Sequence, residues 1–70
     1  MIAIGIDPGT AICGYGIVDL TGNKLKPIHL GAVFTDKDMA PELRLKKIYE
    51  EISVLIDTYK PDIMSIEKLF

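Results

Sequence analysis

Seventy residues allow one domain at most, with a thin core, because a short chain buries a smaller share of its surface than a long one. The composition, 49% hydrophobic and 26% charged, excludes a disordered chain, and no apolar run approaches the roughly 18 residues of a membrane-crossing helix. A net charge of −2, from 8 Lys and Arg against 10 Asp and Glu, argues against broad nucleic-acid binding but is silent about a local site.

No basic stretch followed by an apolar run and a small-residue cleavage site opens the chain, so no secretory signal is visible. One cysteine, Cys13, has no internal disulfide partner, which fits a reducing cytoplasm. It reads as a small buried hydrophobe rather than a nucleophile, since the single histidine, His29, sits mid-strand with no evident partner. Arg44, Lys46 and Lys47 form the one basic cluster and read as a solvated helix face.

In chain order, Met1 to Asp7 predicts a strand with Ile2, Ile4 and Ile6 on one face and Ala3, Gly5 and Asp7 on the other. Pro8 and Gly9 end it, the glycine supplying the positive φ that tight turns often need. Cys13 to Leu20 is a second strand, and Thr21-Gly22-Asn23 is a hairpin signal. A third strand runs from Lys24 to Thr35, where Pro27 calls for an edge position or a bulge because proline cannot donate to the ladder.

Asp36 to Ala40 is loop-like, and Pro41-Glu42 opens a helix, proline suiting the first helical position and the acid complementing the dipole. Leu45, Ile48, Ile52, Leu55 and Tyr59 step by three, four, three and four, which is one helical face, widened by Tyr49 and Ile56. Leu43 and Val54 fall opposite. Lys60-Pro61 stops the helix, because the residue before proline avoids the α region. Asp62 to Glu67 is a fourth strand.

Three strands on short turns, a crossover helix and a fourth strand give an α/β fold. The first three form an antiparallel meander, and the fourth lies parallel to one of them. "DIMSIE" carries Ile63 on one face and Met64 and Ile66 on the other, so both faces look buried, while one helix covers only one. The expectation is that residues 1–70 are the N-terminal part of a larger single domain, with an obligate oligomer as the alternative.

Asp7 ends the first strand and Glu67 ends the fourth. If these strands are parallel neighbours, both carboxylates emerge at the carboxyl-terminal edge of the sheet, where open α/β sheets bind ligands. Two close carboxylates repel unless a cation lies between them, and such oxygen ligands suit Mg²⁺ or Mn²⁺ and phosphate chemistry. Taken singly, each is explained as well by a turn and a solvated strand end. Spacing alone does not choose.

"IGIDPGTAICGYGIV" together with "RLKKIYEEISVLIDTYKPDIMSIEKLF" resembles the RuvC family of crossover junction endodeoxyribonucleases, the Holliday junction resolvases, over essentially all 70 residues. The D-P-G-T and G-Y-G signature and the P-D-x-x-x-I-E signature carry the resemblance. It implies a ribonuclease H-like mixed sheet, of which the meander, crossover helix and fourth strand would be the N-terminal part. It also implies homodimers that nick two opposing strands of four-way junction DNA symmetrically with Mg²⁺ or Mn²⁺, in recombination and DNA repair, with a TT preference and RuvA and RuvB as partners. Asp7 and Glu67 match the family's catalytic and metal-binding aspartate and glutamate, Phe70 an aromatic set against junction bases, and Gly14 and Gly16 glycines near the site. The remaining ligands lie in a C-terminal half absent from this sequence, so the resemblance implies an inactive segment when isolated.

Two other enzymes share part of the signal. Actin-like or sugar-kinase ATPases also place D-x-G-T between strands, but Pro8 removes an N–H that such a phosphate loop would use. An rRNA-processing relative of the same fold also opens on D-P-G. A non-enzymatic reading, a remnant that dimerises through its uncovered sheet, completes the set.

Overall fold

The structure, a computed structural model, describes residues 1–9 and 11–66. Its elements are β1 (Ile2–Asp7), β2 (Ile12–Thr21), β3 (Lys24–Phe34), α1 (Pro41–Tyr59) and β4 (Ile63–Ile66). They form one mixed sheet in the order β3-β2-β1-β4, antiparallel through β3, β2 and β1 and parallel between β1 and β4. The predicted meander and crossover are both present.

Turn chemistry accounts for the short connections. β2 and β3 join through Gly22-Asn23 between the paired Thr21 and Lys24, with Gly22 at φ 61°, a value that disfavours any side chain. Pro27 lies on an edge strand, and the β2–β3 register shifts between Ile17 and Val18, whose partners are His29 and Pro27. Edge and bulge therefore coincide at the proline. Gly9 departs from expectation. Its φ is not in the left-handed region. Its glycine is required instead because a Cβ there would overlap the Ile12 carbonyl oxygen.

The two faces of the sheet differ. On one, Ile4 faces Ile17 across β1–β2, both fully buried, and Cys13 pairs with Val33 under the buried Ile52 of α1. Each such aliphatic side chain contributes about 1.5–3 kcal/mol on leaving water. The face opposite carries Ala3, Gly5 and Asp7 and has no helix over it among the described residues, leaving Ile12, Leu30, Phe34 and Ile63 exposed. Strand β4 is exposed throughout, Met64 and Ile66 included, so the burial its sequence pattern called for is not supplied by one helix.

The helix buries a narrower stripe than its periodicity predicts. Ile48, Ile52, Leu55 and Ile56 pack on the core and Tyr59 is half-buried, but Leu45 is 60% and Tyr49 74% exposed. Those two lie together on one flank, where no second helix stands beside α1 among the described residues. Its basic residues are not merely solvated. Arg44 Nε donates to Thr35 Oγ1 at 3.0 Å and Lys47 Nζ to the Phe34 carbonyl at 2.6 Å, tying the first turns of α1 to the end of β3. Lys46 pairs weakly with Glu50 at 4.0 Å. At the other end Lys60 enters the left-handed region, φ 48° and ψ 58°, rather than the extended one that Pro61 favours. That geometry lets its N–H cap the Ile56 carbonyl at 2.8 Å.

Candidate active site

Strand β1 delivers Asp7 to its last position by simple alternation. Ile2, Ile4 and Ile6 face the helix side, so Asp7 emerges on the bare face, exposed to solvent. It pairs with Gly14 on β2, where a Cβ would meet the Asp7 Cβ at 3.8 Å, ordinary contact. Among the described residues no hydrogen bond or ion pair engages the Asp7 carboxylate, and no group of three or more His, Cys, Asp or Glu is placed to hold a metal.

Around Asp7 lies an open groove of about 390 Å³ whose lining includes Gly5, Gly14, Gly16 and Ser65. The glycines remove side chains from a floor where alternation would otherwise raise them. At Gly5 an added Cβ would meet nothing within 4 Å. At Gly16 it would come within 2.9 Å of Leu30 Cδ2, the end of a flexible, exposed side chain that reaches over the glycine. Such a floor admits another backbone at close range. Ser65, missed in the sequence, pairs with Gly5 and so faces the groove; its period-two relation to position 67 was the available signal.

The two other predicted site residues, Glu67 and Phe70, lie outside the described residues. The described β1–β4 register ends at the Ile6–Ile66 pair, and the residue that follows each in sequence is an acid, Asp7 and Glu67. His29, expected to stand alone, has partners. Its Nε2 lies 3.2 Å from Tyr15 Oη and its ring stacks against Tyr59 at a centroid distance of 6.2 Å. This cluster is on the helix side of the sheet, away from Asp7, and leaves Cys13 with no base beside it among the described residues.

A mixed sheet with a leading meander and a parallel fourth strand reached through one helix is the opening of a ribonuclease H-like domain, and the comparisons agree. The chain superposes on Thermus thermophilus RuvC with a TM-score of 0.90 at 26% identity, covering all of this chain and 44% of that one. A second structure, T. thermophilus RuvC in complex with Holliday junction substrate, gives 0.91 at 26% identity and the same coverage. Residues 3–70 match the family described as Crossover junction endodeoxyribonuclease RuvC. Curated relatives of that name are 54% identical in Alkaliphilus metalliredigens, 51% in Fusobacterium nucleatum and 49% in Desulforamulus reducens, each over all 70 residues. The chain spans 43%, 37% and 43% of their respective lengths.

The chain belongs to the RuvC family. Neither the ATPase nor the rRNA-processing alternative describes the family that matches. No helix among the described residues is long and apolar enough to cross a membrane.

Proposed function

We propose that these residues form the N-terminal part of a single nuclease domain that, in the whole protein, resolves Holliday junctions in recombination and DNA repair. The domain nicks two opposing strands of four-way junction DNA symmetrically, as a cytoplasmic homodimer working with RuvA and RuvB, with no membrane association. Asp7 and Glu67 are its catalytic and metal-binding carboxylates, and Phe70 contacts bases.

The observation that carries the reading is the exposed Asp7 carboxylate at the end of β1, over a glycine floor, on the face no helix covers. A carboxylate there repels a phosphodiester unless a cation intervenes, and its hard oxygen donors suit Mg²⁺, with Mn²⁺ as substitute. Continuing the β1–β4 register by one residue would bring Glu67 beside Asp7. Asp7 and Glu67 would hold such an ion, whose chemistry would be Lewis-acid polarisation of the scissile phosphate and a more acidic bound water. The chain's own residues do the rest. Pairing with β2 fixes the backbone of Asp7 at the end of β1, and Gly5 and Gly14 add no side chain to the path of the phosphodiester backbone.

The test is nicking of a synthetic four-way junction by the full-length protein with Mg²⁺. Asp7→Asn and Glu67→Gln should each lower the rate by about 10²-fold or more, since each weakens a metal contribution of several kcal/mol. Wild-type rates in either variant would overturn the assignment of that residue.

A further inference from the structure

Strand β4 runs parallel to β1 toward the Asp7 end of the sheet, yet little in β4 itself fixes its register. It is four residues long, exposed throughout, and pairs only with β1 among the described residues. Neither of its faces is buried, Ile63 and Ser65 being exposed on one and Met64 and Ile66 on the other, so burial hardly distinguishes one register from the next. A one-residue slip would nevertheless turn every β4 side chain to the opposite face. The pairing of positions 7 and 67 that the proposed function requires would then be lost.

What fixes the register lies at the opposite end of the pair. The Asp62 N–H donates to the Ile2 carbonyl at 2.7 Å, and the Ile2 N–H donates back to Asp62 Oδ2 at 2.9 Å. The two bonds close a ring between residue 62 and the first residue of β1, one step before the Ala3–Ile63 pair. A carboxylate accepting from a backbone N–H is a strong, directional contact. Helix α1 ends just upstream in the left-handed Lys60 and Pro61, so Asp62 is the first residue at which the chain can be tied to β1.

We propose that Asp62 is a positioning residue for the phosphodiester cleavage: its carboxylate locks the parallel β1–β4 register and so sets Glu67 beside Asp7 at the far end of the strands. The inference rests on the nuclease reading above and deepens it. Asp62 touches neither substrate nor metal; it acts through the placement of Glu67.

The experiment compares Asp62→Ala, Asp62→Asn and Asp62→Glu in the full-length protein by junction nicking, junction binding, Mg²⁺ titration and amide hydrogen exchange. Asparagine keeps an acceptor oxygen at the same reach and should nick and exchange like wild type. Alanine removes the acceptor and glutamate misplaces it. Both should slow nicking by about 10- to 10²-fold, the effect of an ångström-scale displacement. Both should also raise the Mg²⁺ concentration for half-maximal nicking by about tenfold, as loss of groups that orient metal ligands does. Junction binding should stay within about 2-fold in all three, a split between binding and turnover that general loss of stability would not produce. Exchange of the residue 63–66 amides should quicken in the alanine and glutamate variants while β1–β2 amides stay protected.

Should the alanine variant fail to fold, the asparagine and glutamate pair carries the test. An unchanged Mg²⁺ dependence in the glutamate variant, or an asparagine variant as impaired as glutamate, would overturn the proposal. Failure of the wild-type protein to nick junctions would refute the nuclease reading instead. The register lock would then stand or fall on the exchange of the β4 amides alone.

Discussion

Gly5 and Gly9 flank Asp7 and differ in what a methyl group at each would meet, which separates stability from function at one site. At Gly5 nothing lies within 4 Å of an added Cβ. Replacing glycine by alanine where the backbone is compatible gains about 0.4–1 kcal/mol by restricting the unfolded chain. At about 2–4 °C per kcal/mol for a mid-sized domain, Gly5→Ala should raise the melting temperature by about 1–4 °C. The same methyl stands on the groove floor and should push the phosphodiester outward, slowing nicking by about 10- to 10²-fold. At Gly9 the methyl would overlap the Ile12 carbonyl oxygen, backbone that cannot swing aside. Overpacking of this kind costs about 1–3 kcal/mol, less the same entropic gain, so Gly9→Ala should lower the melting temperature by up to about 10 °C. Thermal unfolding followed by circular dichroism, with single-turnover nicking of a four-way junction, reads both quantities in the full-length protein. A Gly5→Ala variant destabilised by more than about 1 kcal/mol would show that the floor is not open. One that is stable and nicks at the wild-type rate would show that the DNA does not pass over it.

Two further outcomes follow from the same structure. Ile17→Ala should destabilise the full-length protein by about 2–5 kcal/mol in urea unfolding, because Ile17 is fully buried against Ile4 and little else of the core is fully enclosed; a loss below about 1 kcal/mol would mean that this pair is not the centre of the sheet's buried face. The 70-residue segment expressed alone should leave four-way junctions uncut in Mg²⁺, and nicks in that assay would refute the expectation that further ligands are required.

What the sequence made legible was whatever depends on local alternation. The faces of β1, the hairpin at Gly22, the double constraint at Pro27 and the emergence of Asp7 opposite the isoleucines all follow from period two and turn chemistry, and all were found. What it misjudged depends on neighbours. Leu45 and Tyr49 belong to the apolar stripe of α1 by spacing, yet a helix buries only as much of its stripe as there is surface to meet, and nothing described stands on that flank. Arg44 and Lys47 looked like solvent charges because their acceptors, Thr35 and the Phe34 carbonyl, belong to a different element. His29 looked solitary because Tyr15 and Tyr59 reach it only through strand pairing and helix packing. At the site, Asp7 and its glycine surroundings were legible, Ser65 was overlooked, and Glu67 and Phe70 rest on the family signature.

The division of labour between the two faces explains why Asp7 sits where it does. A thin sheet needs one face for a core, and Ile4, Ile17, Cys13 and Val33 commit the helix side to that task. An acid on that side would be buried without a partner, at a cost of several kcal/mol. The other face is free to carry an exposed carboxylate, and Gly5 and Gly14 beside it leave room for close approach of another backbone. The alternation that places Ile6 inward therefore places Asp7 outward, so one strand anchors the fold and presents an exposed carboxylate at consecutive residues. Burial of Ile4 and Ile6 then holds the Asp7 backbone in place, and a core substitution such as Ile4→Val, which costs about 0.5–1.5 kcal/mol, acts on the same strand that carries the carboxylate.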